Sequence, residues 1–387
     1  MSPHSDRTRL IASATRRGQG RRPVNPPIER ASTMLSDTAG AMRDGADGPV
    51  YGLEGTTAAR ELRAALADLE GGVQAFLVPS GLASVTVPVL ALTRPGDEIV
   101  TTDAVYGPTR RFLSRYLAGR GVTTRFLPAG ADADAIIAAV GEKTRLVLME
   151  SPASLTFEMV DVAKVAAACR SRDVLTVLDN TWAAGLAFKP LAHGVDVSVQ
   201  ALTKYAAGHS DVLIGGIVAN EARLIRAIGD AIEDMGWHVS PDDAWLTLRG
   251  LRTLPLRYAE QGRSGLRVAQ WLQARPEVGR VLYPPLPGSV GHDLWARDFT
   301  GAASLMGVVM KGGDAAAGRR FLDALSLFGL GYSWGGFESL TTHETHQMAY
   351  RDHPTPLEGE LIRFHIGLED PADLIADLER GLAAFAG

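Results

Sequence analysis

The 387 residues exceed one average core, since domains run to about 150 residues, so two or three structural units are expected. Hydrophobic residues make up 46% and charged residues 21%, ordinary globular usage that excludes a disordered or fibrous chain, and 39 basic against 44 acidic residues (formal charge −5) offer no electrostatic footprint for nucleic acid. A single cysteine, Cys169, excludes an internal disulfide framework and any multi-cysteine zinc or iron–sulfur site, and fits a reducing compartment.

The first 22 residues are basic (Arg7, Arg9, Arg16, Arg17, Arg21, Arg22) but poorly amphipathic, and they lack the continuous apolar core of a secretory signal. They read as the N-terminal arm of a cytoplasmic protein. No run of about 18 apolar residues occurs, so no membrane-spanning helix is expected. Residues 1–50, with Pro23, Pro26, Pro27 and the Gly/Asp-rich stretch from Gly40 to Gly48, read as irregular. Such a segment cannot bury a core of its own and is expected to cross another surface.

Periodic structure starts at Thr56. Leu62, Leu66 and Leu69 recur at helical spacing, and Gly71-Gly72 supplies the residue best suited to a left-handed cap. From there to about residue 218, short apolar runs alternate mostly with helix-like segments: Phe76–Val78, Ile99–Thr101, Leu146–Met149, Leu175–Leu178, Val195–Val199 and Ile214–Val218. Runs apolar on both faces and joined by crossovers predict a mostly parallel sheet covered by helices on each side. Beyond Gly250 a helix from about Pro255 to Ala274 leads to Val281, the loop Pro284-Pro285-Leu286-Pro287 and isolated strands at Leu305–Met310 and Leu361–Ile366. The expected organisation is an arm over residues 1–55, a large α/β domain over 56–250 and a smaller α+β domain over 251–387.

Four features on the predicted sheet bear on chemistry. Lys204 follows the strand ending at Gln200, at the edge where such folds bind ligands, and a desolvated lysine amine can attack an aldehyde. Asp179 ends the strand Leu175–Leu178, and a carboxylate there is costly unless it meets a cation such as a protonated pyridine nitrogen. Ser80-Gly81-Leu82 opens a helix after a strand, where backbone amides favour an anion. Tyr106 follows the next strand and could stack on a flat ring. Singly, each has a plain alternative: a surface lysine, a turn-capping acid, a common strand–helix turn, a core aromatic.

Together, and within seven sequence blocks that include two of them, they identify a resemblance. The blocks are Glu150-Ser151-Pro152, Asp179-Asn180-Thr181-Trp182-Ala183-Ala184-Gly185, Thr203-Lys204-Tyr205, Gly208-His209-Ser210-Asp211, Arg249-Gly250-Leu251-Arg252-Thr253-Leu254, Tyr332 to Ser339, and Arg363 to Asp370. The chain resembles the Cys/Met-metabolism family of fold-type I pyridoxal phosphate enzymes from about Arg30 to the C-terminus, and within it the cystathionine β-lyases. The resemblance implies a mostly parallel seven-stranded sheet with a smaller α+β domain, pyridoxal 5′-phosphate as cofactor, and a homotetramer built from dimers that share active sites.

It also implies roles. Lys204 would hold the cofactor as a Schiff base, Asp179 would pair with its ring nitrogen, and Tyr106 would stack over the ring. The amides of Gly81 and Leu82 and the Thr203 hydroxyl would hold the phosphate, flanked by Ser80 and Ala201. Tyr51 would reach the phosphate of a neighbouring subunit. Arg363 would clamp the substrate carboxylate, a task suited to a bidentate guanidinium. The alternation Ile362, Phe364, Ile366 likewise leaves Arg363 on the opposite strand face. Ser333 and Trp334 would line the same pocket, and Trp334 favours β-elimination because its indole narrows the space beyond the substrate β-carbon.

The implied reaction is α,β-elimination of cystathionine or a related cysteine thioether to a thiol, pyruvate and ammonia. Alternatives are γ-chemistry on the same scaffold, racemase side activity, or a non-catalytic cofactor-binding protein. Two positions depart from the family pattern, Leu53 replacing a common arginine and Glu54 an often basic or polar residue, and Glu233 stands where a bacterial lyase of the family has an aromatic near the substrate entrance. These leave the distal part of the substrate open. His343 and His346 lack an evident third ligand and read as a solvated loop rather than a metal site. Cys169 reads as buried packing and His209 as structural.

Overall fold

The computed structural model describes residues 4–12, 21, 23–44, 49–354 and 356–386. The arm, expected to be irregular, carries two short helices, α1 (Asp6–Ala12) and α2 (Ala39–Asp44). An isolated helix this short is not stable in water, so tertiary contact decides. In α1, Leu10 is buried and Arg9 reaches both Asp6 and Asp68. Further on, the arm crosses its own chain: Asn25 accepts from Arg252, the Pro26 carbonyl accepts from the Trp245 indole at 3.0 Å, and Arg30 pairs with Asp242 at 2.5 Å. Arg16, Arg17 and Arg22, and residues 45–48 of the glycine-rich stretch, lie outside the described residues.

Helix α3 (Thr57–Glu70) buries Leu62, Leu66 and Leu69, and Gly71 closes it at φ 72°. That left-handed cap is what the Gly71-Gly72 pair predicts. Seven strands follow: β1 (Gln74–Val78), β2 (Glu98–Thr102), β3 (Thr123–Leu127), β4 (Thr144–Glu150), β5 (Leu175–Asp179), β6 (Val197–Gln200) and β7 (Gly215–Ala219). Their spatial order is β1-β7-β6-β5-β4-β2-β3, parallel except for β7, which runs antiparallel to both neighbours. The central strands are buried on both faces, the reason they read as unbroken apolar runs. Edge strand β3 escapes that reading because Thr123, Thr124 and Arg125 make it polar and half-exposed.

Helices α4 (Gly81–Leu92), α5 (Gly107–Arg111), α6 (Ala133–Ala139), α7 (Val162–Arg170) and α8 (Ala222–Asp234) fill the crossovers. Apolar residues of α4 and α8 pack with one face of the sheet, while α3, α7 and α9 (Pro241–Gln273) belong to the core on the other. Helix α9 starts at Pro241, not at the expected Pro255. Ser240 caps it, Pro241 occupies its first turn, and buried Leu248, Leu251, Leu254 and Tyr258 carry it through Pro255, whose missing N–H otherwise marks a helix start. Position 250, where the sequence suggests a boundary, therefore lies inside a continuous helix.

The second sheet contains β8 (Val278–Leu282), β9 (Leu305–Met310), β10 (Gly329–Leu330), β11 (Leu340–His343) and β12 (Leu361–His365), ordered β10-β11-β12-β9-β8. Helices α10 (His292–Asp298), α11 (Ala315–Asp323) and α12 (Pro371–Ala386) accompany it. One continuous buried cluster joins this sheet to the α9 face of the first, running from Leu62 and Tyr205 to Met306, Phe364 and Ile366. No helix among the described residues is long and apolar enough to cross a membrane.

Candidate active site

The carboxyl ends of the parallel strands deliver the chemistry, as open α/β sheets do. Glu150 ends β4 and Asp179 ends β5, directly opposite each other in the register. Lys204 lies four residues past the end of β6, in a tight turn: its N–H donates to the Ala201 carbonyl (3.0 Å) and its carbonyl accepts from Gly208 N–H (2.8 Å). Buried Arg257 secures the turn from α9, donating to the Tyr205 carbonyl at 2.8 Å and to the Ala206 carbonyl at 3.3 Å. Gly208, at φ 71°, makes room, since a Cβ there would collide with that guanidinium.

Lys204 Nζ donates to Ser333 Oγ at 2.6 Å and lies 5.3 Å from the centroid of the Trp334 ring. Burial pushes the ammonium down to about 8; the like charge of Arg363 adds to the effect and Asp179 opposes it. Asp179 accepts from the Thr181 N–H (3.0 Å) and hydroxyl (2.5 Å), and the Thr181 oxygen accepts in turn from Ala201 N–H at 2.9 Å. Burial raises the Asp179 pKa against those bonds and against Lys204. Glu150 is raised by burial and by Asp179 beside it. Its carboxyl group accepts from Ser154 Oγ (2.6 Å) and from the Tyr106 N–H (2.7 Å), so it fixes the loop that presents Tyr106 at the start of α5. The sequence shows Glu150 only as part of a block. The signal available was the one that marks Asp179, an acid ending a buried strand.

Tyr106 remains 46% exposed, and burial and Glu150 raise its hydroxyl pKa while Arg363 lowers it. Ser80 caps α4, accepting from Ala83 N–H at 3.1 Å. The amides of Gly81 and Leu82 have no acceptor among the described hydrogen bonds. Gly81 packs so closely on Ala201 that a Cβ would sit 2.3 Å from the alanine Cβ. Thr203 Oγ is engaged within the chain, 3.1 Å from the Ile214 carbonyl and 3.0 Å from its N–H. The hydroxyl proton expected for a phosphate is thus shared with, or directed to, Ile214.

Arg363 arrives from the second sheet. Its neighbours Ile362 and Phe364 are fully buried in the core, and the guanidinium extends to the Ser333 carbonyl (3.4 Å) and to Glu344 Oε1 (3.6 Å). Glu344 is completely buried and also accepts from Thr342 Oγ (2.6 Å) and Gln347. The segment expected to be a solvated loop is therefore structural: His343 ends β11 and bonds Glu360 at 2.5 Å, and Glu344 faces Arg363. Neighbouring polar residues disguised a buried carboxylate.

The structure thus brings together Lys204, Asp179, Tyr106, Ser333, Trp334 and Arg363. Tyr51 stands apart: it is 53% exposed on the arm, bridged to Thr33, with no described hydrogen bond to those residues. Beside it Leu53 is exposed and Glu54 accepts from Val50 N–H at 3.3 Å. Glu233 is exposed near the end of α8. His209 Nδ1 lies 2.7 Å from the Ala207 carbonyl. Cys169 is buried and its thiol is pushed up to about 11, which suits packing and not nucleophilic attack.

The family profile of the Cys/Met metabolism PLP-dependent enzymes matches residues 7–383. The chain belongs to that family. Among its members, the cystathionine β-lyase MetC of Escherichia coli is 43% identical over 93% of this chain and 93% of its own. The cystathionine β-lyase of Bordetella avium is 39% identical over 94% and 93%. The crystal structure of cystathionine γ-synthase from Xanthomonas oryzae pv. oryzae superposes with a TM-score of 0.92 at 31% identity, covering 100% of this chain and 99% of that one.

The family cofactor is pyridoxal phosphate, and the donor set fits it. A buried, readily neutralised amine can join its aldehyde, a buried acid can face its ring nitrogen, and two unclaimed amides at a helix N-terminus can receive its phosphate.

Proposed function

We propose that the chain is a pyridoxal-phosphate-dependent carbon–sulfur β-lyase, converting cystathionine or a related cysteine thioether to a thiol, pyruvate and ammonia. The observation that carries this reading is the Lys204 amine, held by Ser333 against the Trp334 indole and within the field of Arg363. The relatives named cystathionine β-lyase support it. Bound pyridoxal phosphate supplies the electron sink for charge at the substrate α-carbon. Lys204 would hold the cofactor and, once freed, would take the α-proton, a task suited to an amine that burial pushes down to about 8. Asp179, oriented by Thr181, would keep a proton at the ring nitrogen. Tyr106 would stack on the ring, and Gly81, Leu82, Ser80, Ala201 and Thr203 would surround the phosphate. Arg363, braced by Glu344 and the Ser333 carbonyl, binds the α-carboxylate. Trp334 fills the space beyond the β-carbon.

A second reading, γ-chemistry, draws on the likeness to the Xanthomonas γ-synthase. A panel of thioether amino acids, cystathionine included, separates the two. Pyruvate is the expected keto product, abolished by Lys204→Ala together with covalent cofactor attachment. A dominant 2-oxobutyrate yield moves the chain to γ-chemistry, and lyase activity retained by Lys204→Ala overturns both readings.

The exposed Tyr51 fits a role in a neighbouring copy's site. We infer a shared-site dimer, pairing into a tetramer, in a reducing cytoplasm where the lone Cys169 stays unpaired.

A further inference from the structure

The loop that carries Ser333 and Trp334 is strained. Ser333 has φ 96° and Gly335 has φ 85°, and a non-glycine residue in that region is strained, so its surroundings must impose it. The loop also lies directly on the lysine backbone: a Cβ on Gly335 would come within 2.7 Å of Tyr205 N and 2.8 Å of the Lys204 carbonyl carbon. Two buried side chains pin it. His365 Nε2 is 3.1 Å from Gly335 N, and Gln261 donates to the Gly336 carbonyl at 2.5 Å.

The hydrogen bonds assign the histidine tautomer. A backbone N–H only donates, so Nε2 is the bare nitrogen. Nδ1–H then donates to Ser304 Oγ at 3.1 Å, which itself donates to the Ile366 carbonyl at 2.6 Å. Gly336 O, 3.2 Å from the same nitrogen, keeps Gln261 as a donor without the histidine, whereas Gly335 N–H has no other acceptor among the described hydrogen bonds, which favours the bare Nε2. Ser304 N–H bonds the hydroxyl of Tyr205 at 2.9 Å, and the Tyr205 ring packs against both His365 and Trp334. Burial, with Arg363 and Lys204 nearby, pushes His365 down to about 3, so it stays the same neutral acceptor across the working range.

We propose that His365 is a positioning residue: its Nε2, by accepting from Gly335 N–H, latches the strained 333–336 loop so that Ser333 meets Lys204 and Arg363 and Trp334 closes the substrate pocket. His365 is buried, and its described hydrogen bonds go to Ser304 and to the loop backbone, none to Lys204 or Arg363. It acts through Ser333, whose hydroxyl holds the Lys204 amine and whose carbonyl receives Arg363. The proposal rests on the pocket assignment given above, and goes beyond it by naming what keeps the pocket wall in place.

Two substitutions separate the nitrogens. Asparagine reaches only as far as Nδ1, and glutamine places an acceptor near Nε2. Amino-acid binding is read from the change in absorbance of the bound cofactor on titration, and cofactor binding from titration of the apoprotein. His365→Asn is expected to weaken amino-acid binding about tenfold, the equivalent of one hydrogen bond, while cofactor affinity stays within about twofold; His365→Gln is expected to stay within about threefold of wild type for both. In a double-mutant cycle with Ser333→Ala, the His365→Asn effect is expected to shrink, because the two act on one loop. Folded His365→Asn protein with unchanged amino-acid binding, or glutamine losing as much as asparagine, overturns the proposal. Should the asparagine variant not fold, Gln261→Met releases the same loop at Gly336 and carries the same expectation. Because the titration needs no turnover, a wild-type enzyme that binds thioethers without releasing pyruvate would sink the β-lyase reading and still leave the latch decided.

Discussion

Lys204 is the residue at which environment outweighs intrinsic chemistry. Its ordinary value of 10.5 falls to about 8 because burial removes the water that solvates an ammonium and Arg363 adds a like charge. At pH 7 about a tenth of the side chains then carry the free amine, against fewer than one in a thousand for an unperturbed lysine. Cofactor uptake by the apoprotein is therefore expected to quicken with pH and level off above about 8. Arg363→Gln removes a charge that disfavours the ammonium, so the midpoint of that pH–rate profile should rise. A midpoint that stays put or falls means the two groups do not interact. Asp179 was legible from its place at a strand end, and Glu150 carries the same signal at the end of β4 although its partner, the Tyr106 N–H, is seen only in the fold. Glu344 was not legible, because its significance lies in Arg363 on the neighbouring strand β12.

Elements matter here chiefly at their ends. The amino end of α4 offers free amides because the Ser80 hydroxyl accepts from Ala83 alone, and because Gly81 lets the turn press against Ala201. Gly81→Ala places a methyl group 2.3 Å from the Ala201 Cβ, and the backbone must move. Such overpacking costs about 1–3 kcal/mol, expected as a matching loss of cofactor affinity in titrations of the apoprotein. Affinity within twofold of wild type would show that the close approach does not shape the phosphate pocket. Six of the seven strands in the large sheet were legible as apolar runs, since burial on both faces writes itself into composition. Strand β3 was not, because an edge strand needs no such run. The first turns of α9 were hidden by Pro255, which only tertiary packing allows inside a helix.

The whole molecule adds couplings that no single element contains. Glu70, the last residue of α3, is completely buried and accepts from Asn180 (3.2 Å) and Gln200 near the ends of β5 and β6. Burial raises it from 4.5 to about 7 against those bonds. The folded state thus holds a proton that the unfolded chain releases, so stability falls as pH rises through this window and is greatest below it. Glu70→Gln keeps the shape and removes the titration. Between pH 5 and 8 the wild type should lose up to ~3 kcal/mol more than the variant in denaturant unfolding, and parallel pH curves would refute this. At the level of assembly, Tyr51 projects from the arm with no partner in its own site. If a neighbouring copy uses it, diluting the protein to monomers should release cofactor. Undiminished affinity in a monomer would mean that each site is complete alone.

What the sequence by itself determined is local or periodic: the helix of α3 with its glycine cap, the doubly buried strands, the acid and the lysine at strand ends, and the blocks that mark the family. Each follows from the residues immediately around it. The tertiary structure alone decided that Ser333, more than a hundred residues after Lys204, meets its amine while Arg363 reaches the Ser333 carbonyl, that a histidine on β12 bonds Gly335 in the loop of a left-handed serine, and that burial pushes a lysine down to about 8. Burial and electrostatic fields are sums over neighbours in space, and the chain specifies those neighbours only once it has folded.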